Sequence, residues 1–270
     1  MTKLEELYKG LLARKVTTLE EITRIAKKIV SPNATSEYVR KKYIEKLLAQ
    51  KKVVRVRKGL YAVLDPNQKP KTFSPDHFLV ASKIKSKYYL GYHTALEFHG
   101  CAYSYYNEVY ICINKRDRFD PFEYRNLRFT PVFTNDLRTG VFKRKYLEHQ
   151  IFVSAPERTF VDCIANPTYA GGWEETLKSL ESLRGIKAQN IYQVLQKFDT
   201  DFLYRKAGFV LELLRGSSIH YENIDAAFLE KIKTKIGKVP AYLERGKPST
   251  LNKKWNLYIP KKFESVLRGV

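Results

Sequence analysis

Residues 51–64, KKVVRVRKGLYAVL, alternate apolar side chains with charged or polar ones on either side of a single glycine. A period of two puts successive side chains on opposite faces, which is the pattern of an extended strand. Gly59 supplies the backbone freedom that a tight turn needs. The stretch therefore predicts a two-stranded ribbon: VVRVR, the turn KG, then LYAVL. Five cations precede the glycine: Lys51, Lys52, Arg55, Arg57 and Lys58. Like charges crowded on a small ribbon repel one another, so their compensation is expected from outside the chain.

Three helical segments come before the ribbon. Thr2 with Glu5, and Thr18 with Glu21, have the spacing of reciprocal helix caps. Leu4, Leu7, Tyr8, Leu11 and Leu12 follow the first, and Leu19, Ile22, Ile25 and Ala26 the second, all at helical spacing. A third helix is expected after Thr35, with Val39, Tyr43, Ile44, Leu47 and Leu48 on one face. Tyr38, Lys41, Lys42, Glu45 and Lys46 then point away from that face. Three helices and a hairpin form the order of a winged helix-turn-helix. In that fold the third helix enters the DNA major groove and the hairpin lies along the backbone. Thr35, Ser36 and Tyr38 would stand where base edges are reached. Lys41, Lys42 and Lys46 would extend the outward face, and Arg55, Arg57 and Lys58 would meet phosphates from an exposed wing tip.

The charge balance agrees with a polyanionic partner. The chain of 270 residues carries +21 formally, and residues 1–71 hold 18 Lys and Arg against 7 Asp and Glu, or +11. No apolar run is long enough for a bilayer span, and the N-terminus has no apolar signal core, so a soluble, cytoplasmic protein with no membrane partner is expected. Cys101, Cys112 and Cys163 form no CxxC pair and read as buried thiols.

Residues 1–70 form the expected DNA-binding domain, and residues 71–270 a mixed α/β domain. DPNQKPKTFSPD is the linker. Beyond it, PDHFLVASKI, HTALEFHG and PERTFVDCIA read as helices, and YYL, EVYICINK, LRFTPVF and HQIFVSA as strands. A basic hairpin or loop separates the last two strands. Ser154 and Glu157 repeat the capping spacing. Pro167 ends that helix, another follows from Gly172, and three more fill residues 189–236. PAYLE and KWNLYI read as late strands and KKFESVL as a last helix. Phosphate-loop, dinucleotide-binding and hydrolase motifs are absent. His93, His99, Cys101 and Cys112 are too irregularly spaced for a metal site, and the predicted strands lack the clustered acids of a metal-dependent nuclease. No enzyme activity, metal or cofactor is therefore expected.

RKGLYAV at Arg57–Val63, GYHTALEFHG followed by EVYICI, and SAPERTFVDCIANPTYAGGWEETLKSL at Ser154–Leu180 stand in this order. In that order the chain resembles the AbiEi-type antitoxins of type IV toxin–antitoxin (abortive infection) systems. The resemblance implies an antiviral-defence repressor that binds double-stranded DNA at inverted repeats in its own promoter. It also implies functional antagonism of a nucleotidyltransferase-type toxin without a stable complex. A nucleic-acid-processing enzyme, and a stand-alone basic regulator without a toxin, remain as alternatives.

Overall fold

The reciprocal caps foreseen at the first two helices are present in the computed structural model, which describes residues 1–261 and 263. Thr2 Oγ1 accepts the Glu5 N–H at 3.3 Å while the Glu5 carboxylate takes the Thr2 N–H at 2.8 Å. Thr18 and Glu21 do the same at 3.2 and 3.0 Å. These caps start α1 (Lys3–Leu12) and α2 (Leu19–Ile29). The third helical segment runs as α3 (Ser36–Val39), a π turn (Arg40–Ile44) and α4 (Glu45–Ala49). The π turn carries one extra residue, and the consecutive side chains Tyr43 and Ile44 are both buried there.

A strand missed in the sequence, β1 (Val16–Thr18), joins β2 (Val53–Arg57) and β3 (Leu60–Val63) in an antiparallel sheet of order β1-β3-β2. Arg55 lies opposite Tyr61 and Arg57 opposite Leu60, so Val56 is the extra residue of a bulge. The sheet is apolar on both faces. Val53, Tyr61 and Val63 close a core with Leu7, Leu11, Ile22, Ile44 and Leu47 of the helices. Val16, Val56, Leu60 and Ala62 belong instead to a core with Leu79, Val80, Ile111 and Phe129 from beyond the linker. Lys83 donates to the Glu21 carboxylate at 2.6 Å across the same contact.

After the linker come α5 (His77–Ser82), β4 (Tyr89–Leu90), α6 (Tyr92–Phe98) and β5 (Glu108–Ile113). β6 (Phe122–Tyr124), β7 (Leu127–Phe133), β8 (Val141–Tyr146) and β9 (His149–Ser154) complete a six-stranded sheet of order β6-β7-β5-β4-β9-β8. It is mixed: β5 with β7 and β4 with β9 are parallel, and the other pairs are antiparallel. A helical layer follows: α7 (Pro156–Ala165), α8 (Gly172–Glu181), α9 (Ala188–Phe198), α10 (Asp201–Arg215) and α11 (Ala226–Lys233). β10 (Ala241–Tyr242), β11 (Ser249–Asn252) and β12 (Leu257–Pro260) form a small sheet of order β10-β12-β11. Trp255, fully buried, packs its ring directly onto Gly208 of α10.

One expectation changes. Ser154 and Glu157 do not cap α7, whose N-cap is Ala155 without a side-chain bond. Ser154 Oγ pairs with Thr159 Oγ1 at 2.7 Å, while Glu157 accepts from the Lys187 N–H at 3.1 Å and Asn190 Nδ2 at 3.0 Å. The helix expected over KKFESVL runs into residues outside those described. Among the described residues no helix is long and apolar enough to cross a membrane.

Candidate nucleic-acid interface

The third helical segment presents the outward residues as its periodicity requires. Thr35 Oγ1 accepts the Tyr38 N–H at 3.2 Å and so serves as the N-cap. Ser36 is half-buried, its Oγ 3.1 Å from Thr23 Oγ1 of α2, which ties the start of the helix to its neighbour. Tyr38, Lys41, Lys42 and Lys46 are all exposed. Tyr38 stands edge-on to Tyr43 at 6.0 Å, and the Lys42 ammonium lies 5.1 Å from its ring centroid. A hydrogen bond from Lys42 pulls the Tyr38 phenol below its ordinary range, and the same bond raises the Lys42 ammonium. Lys41 pairs with Glu37 at 2.9 Å and Arg40 with Glu45 at 2.9 Å. Such exposed pairs are weak and exchange readily for another anion. Lys42 and Lys46, one helical turn apart, have no carboxylate partner among the described residues.

The ribbon divides its cations. Arg55 within β2 and Lys58 at the turn are exposed, and Gly59 adopts φ +79° at that turn. Arg57 is a correction to the exposed trio expected from alternation. It is half-buried, its guanidinium 4.6 Å from the Phe122 ring and 5.8 Å from Phe119, and its Nη1 is buried without a hydrogen-bond partner. The bulge at Val56 explains this. It shifts the pleat by one residue, so Arg57 no longer follows Arg55 but turns with Val56 toward the six-stranded sheet. Lys52 also lies inward, 5.0 Å over the Tyr8 ring. Burial raises the Tyr8 phenol, which donates to the Leu64 carbonyl at 2.6 Å.

The histidines and cysteines considered together in the sequence are held separately. His93 Nε2 lies 3.1 Å from the Ser104 carbonyl and His99 Nε2 2.9 Å from that of Ser154. Burial pushes the Cys101 thiol up to about 12 and raises Cys112 further. Among the described residues no three His, Cys, Asp or Glu side chains form a metal-binding group.

Sequence reading missed a second feature, a cavity of about 520 Å³ beside α7 and α10 with Lys206 in its wall. The signal was local: Arg205 and Lys206 sit side by side within the apolar stretch DFLYRKAGFVLELL. Arg205 is balanced by Asp201 at 2.7 Å, but Lys206 has no such partner among the described residues.

No family model matches the chain, and no curated protein matches it. Among solved structures, the crystal structure of the RV2827C protein from Mycobacterium tuberculosis is similar in fold, with a TM-score of 0.65 and 15% sequence identity over 100% of this chain and 94% of that one.

Proposed function

We propose that the chain is a transcriptional repressor of double-stranded DNA in the cytoplasm, acting as an antitoxin of the AbiEi type. The observation that carries this reading is the open basic surface made by two adjacent elements. Tyr38, Lys42 and Lys46 form a stripe on the third helical segment, and Arg55 on β2 and Lys58 at the turn after it are exposed on the neighbouring hairpin. In a winged helix-turn-helix the stripe would enter the major groove, where Tyr38 meets base edges, while the turn follows the phosphates. Residues 1–70 would read the inverted repeats of the chain's own promoter. Residues 71–270 would add non-specific attraction and oppose a nucleotidyltransferase-type toxin without a stable complex.

The test is a mobility-shift titration of the full chain with the duplex upstream of its own gene and with a random duplex, in Mg²⁺. Tighter retention of the upstream duplex, recovered uncut, supports the repressor. Equal affinity for both duplexes, or cut products abolished by one carboxylate substitution, refutes it. Co-expression with a neighbouring nucleotidyltransferase-type protein tests the antitoxin half: growth must be restored without co-purification.

A further inference from the structure

The cavity beside α10 lies among the end of β7, the loop after it, α7 and the α9–α10 junction. Its volume of about 520 Å³ falls within the size of small-molecule sites. Aromatic rings surround it: Phe133 and Phe202 at the mouth, 51% and 37% exposed, with Phe198 and the buried Tyr92 deeper. Tyr92 holds φ +54°, a left-handed backbone rarely adopted by a bulky residue.

The charges of the wall do not cancel. Arg158 occupies both acids, with Nε 2.8 Å from Asp162 and Nη1 3.3 Å from Asp136, and its Nη2 donates to the Tyr89 hydroxyl at 2.8 Å. Lys206 and the exposed Lys197 at the rim are left over, and of these two Lys206 is the buried one. It is 7% exposed, its Nζ donates once, to the Ala165 carbonyl at 3.0 Å, and it lies 4.5 Å from the Phe202 ring centroid. No carboxylate pairs with it among the described residues. An ammonium has three donors, so two remain for an acceptor in the cavity. Burial alone pushes its amine down to about 8. At neutral pH it therefore stays mostly charged, and a buried unpaired cation is costly to keep. Its one bond goes to the last carbonyl of α7, which leaves the side of the ammonium without a protein acceptor unexplained by that contact.

We propose that this cavity binds a small organic acid, with its carboxylate paired to Lys206 and its aromatic ring against Phe202 and Phe133. The site would be separate from the DNA-facing surface and does not depend on that reading.

Trp173, with its ring centroid 5.7 Å from Lys206 Nζ, is a built-in reporter. Its fluorescence, with calorimetry in parallel, is followed in the full chain on titration with benzoate, benzamide, acetate and inorganic phosphate. Benzoate is expected to bind about tenfold or more tighter than benzamide, the scale of a charge-assisted hydrogen bond, and tighter than acetate because of the ring. Lys206→Met should erase the preference for benzoate over benzamide while the protein stays folded. Phe202→Ala should weaken benzoate and leave acetate unchanged. If Lys206→Met does not fold, the pH profile decides, since benzoate affinity must fall through about 8 as the amine loses its proton. The proposal is overturned by equal affinity for benzoate and benzamide, by phosphate binding tighter than benzoate, by unaltered benzoate binding in Lys206→Met, by a flat pH profile, or by no saturable heat with any probe.

Discussion

The ribbon offers the sharpest test, because the bulge splits its cations into two physical roles. Replacing Arg55 and Lys58 with Ala removes two exposed charges. Each phosphate contact contributes about 0.9 to the slope of log affinity against log salt, so the double variant should be shallower by up to ~1.8. The loss should be similar on cognate and random duplexes, since phosphate carries no base identity. Arg57→Ala should behave differently. Its guanidinium, 4.6 Å from Phe122, adds a cation–aromatic attraction of about 0.5–2 kcal/mol, while its unpaired buried Nη1 works against the fold by about 1–3 kcal/mol. These oppose, so the net change should lie between a loss of about 1 and a gain of about 2.5 kcal/mol, and the salt slope should hardly move. Binding is measured by fluorescence anisotropy at five salt concentrations on both duplexes, and folding by urea denaturation. An unchanged slope in the folded double variant, or a full unit of slope lost with Arg57 alone, would show that this division of the ribbon is wrong.

Tyr38→Ala should weaken the cognate duplex by about tenfold and the random duplex much less, read in the same anisotropy titrations. Gly208→Ala places a methyl group in the ring of the fully buried Trp255 and should cost about 3 kcal/mol or more, seen as a fall in urea midpoint. Arg158→Met leaves Asp162 buried without its cation and should cost about 3–5 kcal/mol, part of it recovered by adding Asp162→Leu; equal losses in the single and double variants would count against the network. Lys206 sits below its ordinary range in the fold, so the unfolded chain binds more protons between about 8 and 10.5 and stability from this group rises with pH across that window. Denaturation at pH 8 and pH 10 should show this gain of about 1–3 kcal/mol in the parent relative to Lys206→Met.

Where local chemistry decides, the sequence was legible. Thr2 with Glu5 and Thr18 with Glu21 cap their helices because each pair satisfies its own backbone within one turn. Ser154 with Glu157 has the same spacing and fails, because Thr159, Lys187 and Asn190 claim the two side chains through tertiary contacts. The outward positions of Tyr38, Lys42 and Lys46 followed from helical period alone, and the π turn did not bury them. Arg57 was misread because a bulge leaves no mark in an alternating sequence. β1 and β6, three residues each, are too short for a period to show. The cavity draws on positions from Tyr92 to Lys206, which only the fold brings together.

The three-stranded sheet has a consequence for inheritance. A small unit that is polar on its outer sheet face can be cut out and joined to many partners in evolution. Here Val16, Val56, Leu60 and Ala62 on one face meet residues from beyond the linker as closely as Val53, Tyr61 and Val63 on the other meet their own helices. Exchanging either half for a foreign one would strip that face of its cover and leave a sticky plate in water. The two halves are thus bound to change together, and a mutation in Leu79 or Phe129 is as much a mutation of the ribbon's support as one in the ribbon itself.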